Sequence, residues 1–190
     1  MGLPKRRATY EDLVSLPEHV VGELIDGEIF ASPRPRMRHS VATGTIFNDL
    51  FGGFNGPPGD PAQAGGWWIL FEPELHLGTD VLVPDLAGWR RVRLPQLLPD
   101  AIAQPIAPDW VCEVLSPSTG RLDRVKKMPI YAREGIGHLW IVDPAAHTLE
   151  IFRLEGDRWI VAATHADDDR ARVEPFAAVE LALGRWWLDG

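Results

Sequence analysis

The chain has 190 residues, 45% of them hydrophobic and 24% charged, with a formal net charge of −8. That composition suits one domain over residues 1–190 with a core buried without staples. No run of about 18 apolar residues occurs, which argues against a membrane-spanning helix. Cys112 is the sole cysteine, so an internal disulfide is excluded. With no apolar segment near the start of the sequence, the reducing cytoplasm is the expected setting.

An acidic total works against phosphate binding, which needs local positive charge. Local distribution decides the matter. Thirteen of the 19 Lys and Arg residues fall in four clusters, Lys5 to Arg7, Arg34 to Arg38, Arg90 to Arg93 and Arg121 to Lys127. A nucleic-acid partner is therefore open, with solvated surface charge as the plainer reading of each cluster.

In chain order, Thr9 ahead of Glu11 and Asp12 predicts a short helix capped by Thr9 and ended by Pro17. Asp26-Gly27 between β-prone residues predicts a tight hairpin flanked by Glu23 and Glu28. Met37 to Phe54 reads as a helix with Val41, Ile46, Leu50 and Phe54 on one broad face, and the Gly/Pro stretch after it as a loop. Alternation from Trp67 to Leu77 predicts one half-buried strand, with Glu72 on its polar side. Val81 to Trp89 predicts a second strand interrupted by Pro84. Asp109 to Leu115 reads as a buried central strand, Arg121 to Glu134 as a helix, and His138 to Asp143 as the strand completing a strand–helix–strand unit. Leu149 to Leu154 and Arg158 to Ala163 form a terminal hairpin around Gly156. The expectation is an α/β fold, a mixed β-sheet flanked by helices with a β-hairpin extension.

A lone carboxylate buried in an apolar strand costs several kcal/mol unless it is paired, protonated or bound to a cation. Glu113 lies mid-strand in Trp-Val-Cys-Glu-Val-Leu, and Asp85 follows Pro84 in an otherwise hydrophobic strand. Adjacent strands could bring the two together, and such hard oxygen ligands suit Mg²⁺, which also keeps waters and phosphate oxygens. The plainer alternatives are a buried Glu–Arg pair and a strand-end Asp holding a loop. A glycosidase built on two carboxylates is a further possibility.

Val-Pro-Asp85, Glu113-Val-Leu-Ser116-Pro-Ser-Thr119, the Asp123 to Tyr131 helix with Lys127, Glu23-Leu-Ile-Asp-Gly-Glu28, Ser32-Pro33 and Trp140-Ile-Val-Asp143 occur in a fixed order. Together they resemble the Uma-type family of restriction-endonuclease-like proteins, within the PD-(D/E)XK nuclease superfamily, over about residues 9 to 154. The resemblance implies a restriction-endonuclease-like fold and a Mg²⁺-dependent endodeoxyribonuclease, with Mn²⁺ as a substitute. It implies Asp85 and Glu113 as metal ligands, Glu23 as a third, and a lysine assisting the attacking water. Leu115 stands where a strict E-x-K pattern has its lysine. Lys127, on the following helix, matches the variants with a migrated lysine, and Lys126 is its nearest competitor. A twofold cut of duplex DNA would imply a homodimer. The alternative from another class is an inactive nuclease-like fold that serves as a nucleic-acid-binding or assembly module.

Gly22 and His138-Leu139 depart from the family pattern without removing a proposed ligand. Pro129, two residues after Lys127, would interrupt a helix unless it falls in the first turn. His39 is the one histidine near a basic cluster and could touch phosphate, Asp123 could pair with Lys127, orient Arg124 or play a purely structural part, and Tyr131 is expected to pack the helix.

Overall fold

A computed structural model describes residues 6–17, 20–32, 35–59 and 64–188. Lys5, Pro33 and Arg34 lie outside the described residues, as does part of the Gly/Pro loop.

Thr9 caps helix α1 (Tyr10–Val14), with the Asp12 carboxylate accepting the Thr9 backbone N–H at 2.8 Å. Strands β1 (Val21–Ile25) and β2 (Glu28–Ser32) pair antiparallel around Asp26-Gly27, as expected from the turn residues, and Glu28 is exposed. Helix α2 spans Met37–Phe54 and buries Ala42, Thr43, Ile46, Leu50 and Phe54, a stripe at helical spacing.

The next segment departs from expectation. The strand predicted from Trp67 to Leu77 is two strands, β3 (Trp67–Phe71) and β4 (Leu75–Leu77), and the one predicted from Val81 to Trp89 is also two, β5 (Asp80–Leu82) and β6 (Leu86–Arg90). Each break carries a proline, Pro73 in one and Pro84 in the other, and proline has no N–H to give a ladder. At this level both strands change sheets. The outer halves β4 and β5 join a four-stranded sheet in the order β2-β1-β5-β4. The inner halves β3 and β6 enter a six-stranded sheet completed by β7 (Trp110–Val114), β8 (His138–Asp143), β9 (Thr148–Glu155) and β10 (Arg158–Ala166), in the order β10-β9-β8-β7-β6-β3. Only β7 and β8 run parallel within it, so the sheet is mixed, with the terminal hairpin at one edge. The two sheets share a seam at residues 72–74 and 83–85.

Helix α3 joins β7 to β8. It is α-helical at Gly120–Leu122, π-helical over Asp123–Lys127 and α-helical again at Met128–Arg133. Pro129 thus sits at the start of an α-helical stretch, where its missing N–H is tolerated, and the widened turn just before it absorbs the mismatch. π-turns of this kind are frequent at functional sites.

The six-stranded sheet has a core on each face. On one side Trp110, Cys112 and Val114 pack with α2, Trp140, Phe176 and Trp186. On the other, Val111 packs with Tyr131, Leu139, Ile141 and Trp89. Side chains alternate along a strand, so Glu113 faces the α3 side. Gly88 on β6 lies beneath three of these side chains: a Cβ there would stand 3.1 Å from Trp110, 3.2 Å from Ile69 and 3.3 Å from Trp67. Gly88→Ala is therefore expected to lower stability by about 1–3 kcal/mol, the usual range for overpacking, as read by urea denaturation. An unchanged midpoint would show that the tryptophans can move aside.

Candidate active site

Strand register brings the first two acids together. The antiparallel β6–β7 ladder pairs Leu86 with Cys112 and Ala87 with Val111; continued by one step, it sets Asp85 opposite Glu113 on one face. Directly opposed residues have Cβ atoms about 4.5–5.5 Å apart. Proline ends the ladder here, and carboxylates take the N–H groups it releases. Val114 N–H donates to Asp85 Oδ2 at 2.7 Å, and Val83 N–H donates to Glu23 Oε1 at 2.8 Å.

Glu23, on the four-stranded sheet, points across the seam. Lys127 comes from the π-turn, its Nζ 2.9 Å from Glu23 Oε1, 3.3 Å from Glu113 Oε1 and 3.2 Å from Asp123 Oδ1. All four residues are buried. Tyr131, one turn further along α3, donates its hydroxyl to Glu113 Oε1 at 2.5 Å, so it does more than pack the helix. His39, at the start of α2, stands with Nε2 2.9 Å from Asp85 Oδ1. Asp85, Glu113, Glu23 and Lys127 all line one cleft of about 650 Å³, together with Glu72 and His39. Lys126 points elsewhere, to a surface pair with Asp26 at 2.9 Å.

The electrostatics are lopsided. Glu23, Glu72, Asp85, Glu113 and Asp123 line the cleft against Lys127, Arg36 and the titratable His39. Burial pushes the Glu113 carboxyl well up and those of Glu23 and Asp123 up, with Lys127 opposing in each case. Burial works against the Lys127 ammonium, yet the three carboxylates around it outweigh that and hold its pKa well above the ordinary range. The lysine remains charged, and one ammonium cannot neutralise three acids, so their ionisation stays disfavoured. Burial, then Asp85, raises Glu72. For His39 burial acts downward, but the hydrogen bond and charge of Asp85 prevail and raise it.

This donor set fits a hard divalent cation: it is all oxygen, it carries excess negative charge, and Asp123 Oδ1, though near Lys127, has no hydrogen bond. Among the described residues, however, no three Asp, Glu, His or Cys side chains stand in a ready-made metal cage. A cation would have to draw carboxylates toward itself.

A family model described as "Uma2: Putative restriction endonuclease" matches residues 8–184. The chain belongs to the Uma2 family. A solved structure titled "putative nuclease belonging to DUF820", from Anabaena variabilis ATCC 29413, aligns with a TM-score of 0.68 over 95% of this chain and 99% of that one, at 24% identity. That likeness shows the fold. No curated protein matches the chain. Within this Uma2 chain, the cleft residues the sequence did not mark are Glu72, which alternation assigned to a polar strand face, and the Tyr131 hydroxyl, whose partner lies across the helix–strand packing.

Most of the basic clusters are internally engaged. Arg6 pairs with Asp12, Arg93 with Asp109 and Arg124 with Glu150, while Arg91 lies over the Trp68 ring. Among the described residues, Arg36, Arg38 and Arg121 have no ion pair and are exposed, and Arg36 lines the cleft. No helix of the described residues is long and apolar enough to cross a membrane.

Proposed function

We propose that this protein is a divalent-cation-dependent nuclease that hydrolyses phosphodiester bonds of nucleic acid, DNA first among them. The observation that carries the reading is the convergence of Asp85, Glu113, Glu23 and Lys127 on one cleft with more carboxylate than cationic charge. Asp85 and Glu113 would hold Mg²⁺ or Mn²⁺, and Glu23 faces the same cleft from the opposite wall, beside Lys127. A cation bound there would supply Lewis-acid charge and lower the pKa of a water at the phosphate.

The chain's own residues supply the rest. Lys127 presents a permanently charged ammonium to a water-poor site, where it can orient the attacking water and offset charge developing on the phosphate. Tyr131 and the backbone N–H of Val114 fix Glu113 and Asp85, so little reorganisation is needed at the moment of reaction. Arg36 at the mouth meets the phosphate backbone.

One observation favours a second reading, a nuclease-like fold that binds without cutting: Lys127 is fully engaged by three carboxylates. Turnover assays on single-stranded, duplex and branched DNA and on RNA, in Mg²⁺, Mn²⁺ or chelator, separate the two. Cation-dependent cleavage supports the nuclease, and binding without cleavage in every condition supports the module. In either case binding is expected to be weak and to fall steeply with salt, since few basic residues are free against a net charge of −8. Affinity measured at two salt concentrations checks this, and tight binding that ignores salt would overturn it.

A further inference from the structure

Asp85 has a neighbour of unusual backbone. Glu72 sits in the facing strand break, its N–H donating to the Asp85 carbonyl oxygen at 3.0 Å, and its φ is +44°. Among the described residues, the other non-glycine residues with positive φ are Asp26, His147 and Asp167, the types that tolerate the left-handed region. A glutamate gains nothing there from its own side chain.

Every other acid of the cleft has a protein partner. Glu23 holds Val83 N–H and Lys127, Asp85 holds Val114 N–H and His39, Glu113 holds Tyr131 and Lys127, and Asp123 stands against Lys127. The Glu72 carboxylate has neither a hydrogen bond nor an ion pair to any described residue, and the residue is exposed at the cleft wall. Among the described residues nothing holds its two oxygens, and its side chain can turn.

We propose that Glu72, rather than Glu23, is the third carboxylate that joins Asp85 and Glu113 around a divalent cation. This deepens the nuclease reading and rests on it. Glu23 cannot turn to a cation without abandoning Val83 N–H and exposing the Lys127 charge to fewer counterions, whereas Glu72 gives up only water. Glu23 is then a positioning residue for Lys127. The strand break holds Glu72 beside Asp85, which explains why a non-glycine residue occupies that backbone. The absence of a ready-made cage follows as well, because the third ligand is the one side chain that must swing.

The test is calorimetric titration of Mn²⁺ into the full chain and its variants, with no turnover required. Glu72→Gln and Glu72→Asn are expected to weaken Mn²⁺ binding on the order of tenfold or more, at least the loss seen for an outer-shell partner of a metal. Asn also tolerates the left-handed φ, so Glu72→Asn should melt no lower than the parent in chelator; a fall in both melting and affinity would mark Glu72 as structural and overturn the proposal. Glu23→Gln should bind Mn²⁺ near the parent's affinity. If Glu23→Gln loses as much as Glu72→Gln, the exchange of roles is wrong. If Asp85→Asn loses binding while Glu72→Gln matches the parent, Glu72 is no ligand. If Asp85→Asn itself binds like the parent, the underlying reading of the cleft fails.

Discussion

Lys127→Met is expected to lose catalytic rate on the order of a hundredfold or more, as for removal of one preorganised donor, and to destabilise the fold at neutral pH by about 3–5 kcal/mol, the range for leaving buried charge without its partner. The second half follows from geometry: Lys127 is the single ammonium among three buried carboxylates. The pH dependence has a definite sign. Burial raises the Glu113, Glu23 and Asp123 carboxyls above their ordinary values of 4.5, 4.5 and 3.8. A raised acid costs stability above its folded pKa, and that cost fades as pH falls toward the ordinary carboxylate range. Without the opposing ammonium these shifts grow, so Lys127→Met should recover more stability on mild acidification than the parent does. Lys126→Met, on an exposed pair with Asp26, should change neither rate nor melting appreciably. A Lys127→Met protein that melts and cleaves like the parent would remove the lysine from both roles.

The second large effect concerns Asp85→Asn and Glu113→Gln. Both keep the size of the side chain, and each amide oxygen can still accept from Val114 N–H or the Tyr131 hydroxyl, so the fold in chelator should persist. Only the negative charge is lost. Turnover should fall at least about a hundredfold. In the parent, free cation at a hundred times its Kd should stabilise by about 2.7 kcal/mol, since a ligand that binds only the folded state stabilises by mass action. In either variant that gain should shrink toward zero. Scanning calorimetry in Mg²⁺, Mn²⁺ and chelator reads it directly, and an undiminished shift in Asp85→Asn would place the cation elsewhere.

Much of this was legible in the sequence because burial and alternation leave local marks. Glu113 stood out as a charge in an apolar strand, and a strand has only two faces, so its side followed once α3 was placed. The break at Pro84 was legible too, but its partner at Pro73 was not, because alternation of apolar and polar residues continues across Glu72 while the strand changes sheet. Period reports which residues are half-buried and says nothing of which sheet buries them. The π-turn was hidden for a related reason: Asp123 and Lys127 are spaced alike in both helix types, and only the hydrogen-bond pattern separates them. Two of the four basic clusters signalled nucleic acid more strongly than their surroundings permit, because their acidic partners lie farther off in sequence, as Asp109 does for Arg93 and Glu150 for Arg124.

The strand breaks at the seam have a consequence for how such a chain would drift if selection on its chemistry relaxed. Glu23 and Asp85 satisfy backbone N–H groups that the prolines leave outside any ladder, and an orphaned buried N–H costs about 1–3 kcal/mol. Lys127 is the one ammonium that faces Glu113, Glu23 and Asp123 inside the core. Folding alone would keep Lys127 and a carboxylate or its amide at positions 23, 85 and 113, so the persistence of side chains of that shape in a descendant would testify to architecture before it testified to chemistry. Glu72 carries no such obligation and sits on a backbone that another residue would relieve. In an idle copy it would be the first of the cleft acids to vanish.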